Sequence, residues 1–341
     1  MNSFNDRFLR ACRREAVDRT PIWLMRQAGR YMPEYRALRE KWDLLTMCRT
    51  PELAVEVTLQ PLARFDLDAA ILFSDIMIPL RGMGIEFEIR ENVGPVIAEP
   101  VREERDVERL RVVNPEQDVP FVLDALKMLR RELETRVPLI GFAGAPFTLA
   151  SYLIEGQGAR ELVRTKQLMY TNPAAWHALM NKLADSIAAY LCAQVGAGAQ
   201  AVQLFDSWVG ALAPRDYHQF VLPYTQKIFD ALKVTDVPTI HFGTGTAMLL
   251  EMMNEAGASV MGIDWRVPLS NAWARLGDVA LQGNLDPVVL LTTPQVVETH
   301  ARRILHDAHG RRGHIFNLGH GVLPNTPLEN VERLIQVVHG D

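Results

Sequence analysis

Short apolar runs, most of them bounded by Gly, Pro, Asn or Asp, recur along the chain. They lie at Pro21–Met25, Ala69–Phe73, Leu139–Phe142, Ala201–Phe205, Thr239–Phe242, Val260–Ile263, Ala280–Gly283 and His314–Leu318. The runs are almost continuously apolar rather than alternating, which is the pattern of strands covered on both faces. Helix punctuation separates them. Thr50-Pro51-Glu52 sets a cap, a first-turn proline and an acid before a helix over Pro51–Phe65. Asn172-Pro173 opens a long helix to about Val195, closed by Gly196. Ala213-Pro214, Thr293-Pro294 and Thr326-Pro327 open three more, and Ala247–Ala256 ends at Gly257.

Eight strands alternating with helices predict one α/β domain over residues 1–341, folded as a (β/α)8 TIM barrel. A doubly wound open sheet is the rival, but its Gly-rich phosphate turn is missing. The nearest stretch, Gly141-Phe142-Ala143-Gly144, has the wrong spacing. Two segments fall outside the repeat. Residues 1–19 predict a leading helix placed as a lid over the barrel bottom. Residues 81–101 alternate Ile85, Phe87 and Ile89 and turn near Asn92–Gly94, predicting a hairpin inserted after the second strand.

Composition narrows the class. With 48% hydrophobic and 23% charged residues the chain is an ordinary globular one, not a disordered or disulfide-dense one. Cys12, Cys48 and Cys192 are an odd set without close spacing, which predicts reduced thiols. The charged N-terminus lacks the apolar core of a signal peptide, so a cytoplasmic location is expected. Ser186–Phe205 carries no charge and has the length of a membrane span. Gln194, Gln200 and Gln203 and the glycines at 196 and 198 instead mark a buried helix running into a buried strand. The net charge of −5 is unevenly placed: residues 1–49 hold eleven Lys/Arg against six Asp/Glu, an excess of +5, and the remainder is strongly acidic. That balance argues against nucleic acid as a partner and permits a local anion site.

In a barrel the carboxyl ends of the strands carry the chemistry. Those ends supply Arg26-Gln27-Ala28-Gly29-Arg30, then Ser74-Asp75, then Gly141–Pro146 followed by Thr148, Ser151 and Tyr152. Asp206-Ser207-Trp208, Gly243-Thr244-Gly245, Asp264-Trp265, Asn284 with Asp286, and Gly319-His320-Gly321 complete the set. Two arginines four apart around an Ala-Gly step form a compact fork suited to carboxylate or phosphate. Salt-bridged structural arginines are the plainer alternative, and nothing acidic follows until Glu34. Asp75 lies in an apolar neighbourhood where a carboxylate needs a cation or N–H donors to stay ionised, and a helix-capping role is its plainer alternative. His320 sits between glycines, where backbone can approach a ligand closely. Ser207 and Tyr152 add hydroxyls. No paired Cys or His-rich spacing supports a metal centre, and neither a Gly-x-Ser-x-Gly elbow nor a P-loop occurs. Residue chemistry alone points to a cofactor-free site for a polyanionic small molecule.

Several long strings carry a resemblance. WLMRQAGRYMPEYR at Trp23–Arg36 and GFAGAPFTLASYLIEG at Gly141–Gly156 closely resemble the signatures of the uroporphyrinogen decarboxylase family. LDAAILFSDI ending at Ile76, QLFDSW at Gln203–Trp208 and NLGHGVLPNTP at Asn317–Pro327 are similar too, and the matching blocks run from about Asn5 to Gly340. The resemblance implies a barrel enzyme, homodimeric and free of metal and organic cofactor. It implies removal of the acetate carboxyls of uroporphyrinogen III to give coproporphyrinogen III in tetrapyrrole synthesis. It further implies substrate contacts from Arg26, Gln27, Ala28, Gly29, Arg30, Asp75, Tyr152, Ser207 and His320, with Arg39 and Phe205 as further pocket members. Catalysis is expected from Asp75, Arg26 and Arg30. A zinc-dependent thiol or corrinoid methyltransferase of the same superfamily is an alternative that calls for His-x-Cys after strand five, where this chain reads His241-Phe242-Gly243. A non-catalytic tetrapyrrole carrier is a second alternative, for which Asp75 is dispensable. A tetrapyrrole is wide for a barrel mouth, so loops including Gly144–Gly158 are expected to build the site. Trp208 and Tyr217 are expected to serve as aromatic anchors at a subunit contact.

Overall fold

Side chains of alternate parity along the predicted strands separate into two buried clusters, and this separation defines the architecture. The computed structural model describes residues 4–90 and 93–340. Its main sheet joins β1 (Ala70–Ile71), β4 (Leu139–Gly144), β5 (Ala201–Asp206), β6 (Thr239–Gly243), β7 (Val260–Gly262), β8 (Ala280–Gln282) and β9 (His314–Ile315) in that order, all parallel. Ile140, Ala201, Ile240, Val260, Ala280 and Ile315 form the inner cluster of the curled sheet. Their neighbours Leu139, Val202, Leu204, Met261 and Leu281 belong to the larger outer cluster, which the helices cover. Both faces are therefore apolar, which is why the sequence runs do not alternate.

The N-terminal segment is shorter as a helix than its sequence implied. Among its described residues only Arg7–Cys12 is helical, and Arg14 takes a left-handed φ of 58° that ends it. Phe8, Leu9, Ala11 and Cys12 join the inner cluster beside the small strand residues Ala69, Ala201 and Ala280. The segment thus plugs the amino-terminal end of the sheet, and the alanines leave the room that Phe8 fills.

The first predicted strand is not a regular one. Pro21–Met25 makes a single parallel bridge, Ile22 to Phe316, and Asp68 N–H donates to Ile22 O at 2.8 Å. The reason lies in three of its four N–H groups, which go to side chains, while Trp23 N alone donates to a neighbouring backbone, Phe316 O at 3.4 Å. Ile22 N donates to Asp68 Oδ2 (2.8 Å), Leu24 N to Gln27 Oε1 (3.1 Å) and Met25 N to Asn317 Oδ1 (3.0 Å). Side-chain acceptors replace the ladder while satisfying the same buried donors. Even so, Trp23 and Met25 sit in the inner cluster and Ile22 and Leu24 in the outer one. Trp23 Nε1 donates to Gln282 Oε1, and Gln282 Nε2 donates to Gln203 Oε1, each at 2.9 Å, carrying a polar chain across the interior.

Helix starts follow the prolines closely: Pro51–Arg64, Pro173–Gly196, Pro214–Phe220 and Pro294–Ala308. Thr50 stands at an N-cap position, but its hydroxyl donates to Thr46 O of the preceding helix rather than capping. Gly144–Gly158, expected as a loop, contains the helix Pro146–Glu155, closed by Gly156 at φ 85°. Its residues are apolar enough to be buried all round, which overrides the flanking glycines. Phe87–Arg90 (β2) and Gly94–Ile97 (β3) pair antiparallel outside the main sheet, and the expected turn residue Asn92 lies outside the described residues. Ser186–Phe205 is the end of Pro173–Gly196 followed by β5. Among the described residues no helix is long and apolar enough to cross a membrane. All three cysteines are free thiols.

Burial pushes His314, at the start of β9, down to about 4, against the opposing hydrogen bond between its Nε2 and Gly283 O. The folded chain keeps this imidazole neutral at pH values where the unfolded chain, at 6.5, binds a proton. Stability therefore falls as pH drops from about 6.5 towards 4. At roughly 1.4 kcal/mol per pKa unit the residue accounts for up to about 3 kcal/mol of that loss. His314→Gln is expected to flatten the dependence of Tm on pH in this window, and an unchanged slope would exclude His314 as the source.

Candidate active site

The carboxyl ends of the strands open into a cavity of about 370 Å³. A more open depression of about 510 Å³ at Arg105, Asp106, Glu108 and Arg109 lies elsewhere on the surface and pairs its own charges, Arg109 with Asp106. The strand-end cavity brings together Arg26, Gln27, Ala28, Gly29, Arg30, Asp75, Phe205, Ser207 and His320 from the residues expected of it. Two expected residues do not line it. Arg39 turns its guanidinium to Trp42 O at 2.8 Å, and Tyr152 stands behind the wall against Trp208, ring centroids 6.0 Å apart.

The arginine fork is a constrained turn. Arg26 adopts φ 59°, a left-handed conformation that a non-glycine residue holds only when its surroundings enforce it. Gln27 is buried and its amide is spent on the turn, accepting from Leu24 N and donating to Ala69 O at 3.2 Å. Arg36 Nη1 donates to the carbonyls of Arg30 and Tyr31, both at 2.9 Å. Both fork arginines remain exposed. Neither has a carboxylate within 4 Å among the described residues, and Glu34, the nearest acid in sequence, pairs with Arg64 instead. The structural salt-bridge alternative thus fails, and the fork is available to an anion.

Asp75 follows β1 and faces the same cavity. Its Oδ1 accepts from Met77 N at 2.8 Å, so part of its capping alternative is real. Burial raises its carboxyl above the ordinary range, opposed by the Met77 N–H and by the positive charge of Arg26. His320 is pushed down to about 4, chiefly by burial and next by Arg26, against the pull of Asp264. It is therefore neutral near pH 7. Its Nδ1 accepts from Gly321 N at 2.7 Å, which leaves Nε2–H as a donor.

Other strand-end polar residues serve as framework. Asp264 is buried and accepts from Gly245 N (2.6 Å), Arg266 N (3.0 Å) and Arg266 Nη1 (2.6 Å). Asn284 Nδ2 donates to the carbonyls of Asp264 (2.8 Å) and Val267 (2.6 Å). Tyr217 is fully buried within the chain, so it offers no surface for a subunit contact, contrary to its expected role. Its aromatic ring is core, and only Trp208 of that pair stays half-buried.

The apolar wall is what residue chemistry missed. Phe73, Phe142 and Phe242 line the cavity with Phe205. Phe142 and Phe242 each meet Phe205 edge-on, at 5.5 and 6.0 Å between centroids, and Tyr35 meets Phe73 at 5.7 Å. Phe142, Phe205 and Phe242 continue the inner parity of Ile140, Gln203 and Ile240 to the strand ends, a signal that was present in the pattern. Ile89 and Pro95 bring the β2–β3 pair over the same space. Among the described residues no group of three or more His, Cys, Asp or Glu is placed to hold a metal ion.

A fork of arginines with no carboxylate partner among the described residues, one central carboxylate and an aromatic wall meet at the carboxyl ends of parallel strands, the arrangement of an α/β enzyme whose cavity is open to an anion. The family model described as uroporphyrinogen decarboxylase matches residues 3–340. A uroporphyrinogen decarboxylase of Carboxydothermus hydrogenoformans is 56% identical over 98% of this chain and 96% of its own, and that of Sorangium cellulosum is 57% identical over the same shares. The chain belongs to the uroporphyrinogen decarboxylase family. Among solved structures, a methyltransferase from Methanosarcina mazei covers 99% of this chain and 98% of its own with a TM-score of 0.83 at 21% identity, a likeness of fold.

Gly321 allows Arg26 to lie against the strand-end backbone: a Cβ there would meet Arg26 Cγ at 2.7 Å and Cβ at 3.1 Å. Gly321→Ala is therefore expected to displace the guanidinium and weaken binding of a polycarboxylate roughly tenfold, about the worth of one charge-assisted contact. Titration calorimetry or KM measurement checks this, with unchanged affinity counting against the placement of Arg26.

Proposed function

We propose that this chain decarboxylates the acetate side chains of uroporphyrinogen, with Asp75 as the central group and Arg26 and Arg30 as carboxylate anchors. The observation that carries the reading is a single carboxylate, Asp75, facing a cavity whose fork arginines have no acidic partner of their own. The substrate brings many carboxylates and four inward-facing pyrrole N–H groups, which complement that arrangement. Asp75 accepts from the pyrrole N–H groups and stabilises positive charge as it develops in the ring. A proton from the arginine side, given by a guanidinium or a water it holds, adds to a pyrrole carbon. The ring then draws electrons from the breaking bond to the acetate carboxyl, and CO₂ leaves. The methylene carbon takes up a proton to become methyl, and the ring proton is lost. The substrate thus supplies its own electron sink, so the step calls for no metal or organic cofactor. His320, neutral with Nε2–H free, and Ser207 add donors for side-chain carboxylates. The Phe73–Phe142–Phe205–Phe242 wall receives the flat face of a pyrrole.

Removal of a preorganised charge stabiliser commonly costs about 10²–10³ in kcat. Asp75→Asn is expected to lower turnover by that order with substrate affinity largely kept, whereas Arg30→Ala is expected to raise KM more than it lowers kcat. Near-normal turnover by a folded Asp75→Asn protein would remove Asp75 from the centre.

The same reading includes closure of the sheet into an eight-membered barrel through Pro21–Met25 within a single domain. It is supported by the Ile22–Phe316 bridge, the Asp68 N–H to Ile22 O bond and the strand-like alternation of residues 22–25 between the two clusters. It also includes a cytoplasmic location and a homodimer. A cavity of about 370 Å³ is at the small end of ligand sites, so a tetrapyrrole extends beyond it and is covered by a second mouth facing the first. Sedimentation at micromolar concentration is expected to give twice the chain mass of 38.4 kDa, and a fully active monomer would refute the shared cover.

A further inference from the structure

Behind the cavity wall, the turn that carries Ser207 is clamped from two sides by the hydroxyls of threonines that do not themselves line the cavity. Asp206 ends β5 and is fully buried. Its Oδ1 accepts from Thr148 Oγ1 at 2.8 Å, and the same Thr148 oxygen accepts from Trp208 N at 3.2 Å. One hydroxyl therefore spans the residues on either side of Ser207. From the other flank, Thr244 Oγ1 donates to Ser207 O at 2.6 Å. Gly210, two residues beyond Trp208, lies so close to Thr244 O that no side chain fits there, which keeps the β5 and β6 turns in register. The second Asp206 oxygen faces His241 Nε2 at 3.8 Å, and neither atom has a hydrogen-bond partner among the described residues.

Thr148 also belongs to the helix that carries Tyr152, the ring partner of Trp208. It lies one helical turn before Tyr152 on Pro146–Glu155, so the two side chains share a face. Tyr152 meets the Trp208 ring edge-on, at an interplanar angle of 73°. Burial raises the Tyr152 hydroxyl, against a hydrogen bond with Trp208, and the charge of Asp75 adds to the rise while that of Arg26 opposes it. We infer that Thr148, Asp206 and Thr244 are positioning residues: they fix the 206–208 turn so that Ser207 faces the substrate and the Trp208 ring stands against Tyr152 behind it. A hydroxyl contact is ideal for this task, because Thr148 must donate and accept at once, which neither an aliphatic nor a carboxylate side chain does.

The inference rests on the decarboxylase reading for its assay, and the experiment separates the two. Wild type, Thr148→Val, Thr148→Ser and Thr244→Val are compared with uroporphyrinogen as substrate, and melting temperatures are recorded alongside. Wild-type inactivity refutes the decarboxylase reading. With wild type active, folded Thr148→Val is expected to lose about tenfold or more in kcat/KM, since small misplacements of positioning groups carry costs of this size. Thr148→Ser, which keeps the hydroxyl, is expected to stay within about twofold on the same reasoning. The discriminating measurement repeats Thr148→Val in a Ser207→Ala/Trp208→Phe background. A residue acting through those side chains loses its effect there, whereas an independent structural role stays additive. Full additivity, or a serine variant as impaired as the valine one, overturns the inference. If Thr148→Val does not fold, Thr244→Val in the same two backgrounds carries the test with the same expected and overturning results.

Discussion

The structure turns on one buried carboxylate far from the chemistry. Asp68 accepts from Ile22 N, from Asn5 Nδ2 at 2.9 Å and from Arg7 Nη1 at 2.8 Å, and its Oδ2 lies 3.0 Å from His339 Nε2. Burial works against its ionisation, yet the bonds to His339, Asn5 and Ile22 N hold it below the ordinary carboxylate range. It thereby ties the leading segment, the Pro21–Met25 run and the last helix, Leu328–His339, to one point. A buried charge that loses its partners is far more costly than one that never existed. The arginine fork begins at the residue after that run, so the direction of Arg26 is set from the opposite end of the sheet.

From there the site is assembled by adjacent strand ends that lean on one another. Asp264 holds the Gly245 turn, Thr244 holds Ser207, and Gly319 permits the turn bearing His320 to pack on the Trp265 backbone. Parallel strands place these ends side by side, so a short polar bond between neighbouring turns fixes groups that are distant in sequence. The functional side chains themselves make few internal bonds. Among the described residues Arg26 and Arg30 have no carboxylate partner, while Gln27 and Arg36 hold the backbone beneath them.

Much of this was legible because burial on both faces leaves a simple mark, a continuous apolar run bounded by turn residues. β4, β5 and β6 fall where such runs predict them, extended by one or two residues. The prolines located helix starts for the same local reason, a fixed φ that suits the first turn. Legibility stopped where tertiary contacts replaced local ones. Pro21–Met25 reads as a strand, but most of its donors are met by Asp68, Gln27 and Asn317, which no local pattern reveals. Gly144–Gly158 reads as a loop from its glycines, yet burial makes most of it a helix. At the site, charged and hydroxyl residues stood out, whereas Phe142 and Phe242 read as core, because apolar side chains of the inner parity look alike whether they end inside the sheet or at its mouth. Tyr217 erred the other way, an aromatic assigned to a surface it never reaches.

The division of the cavity into a cationic flank and an aromatic wall has a consequence for processivity. Each acetate lost removes one negative charge from the bound molecule and leaves a methyl group in its place. With the carboxylates held by Arg26 and Arg30 as proposed, that hold weakens with every turnover, while contact with the phenylalanines grows more favourable. Attraction to the mouth is thus greatest for the most carboxylated form, and raised ionic strength, which screens exposed charge pairs, should blunt that preference. On that proposal the cavity sorts its ligands by a falling count of charges, and the chemistry itself favours exit of the finished product.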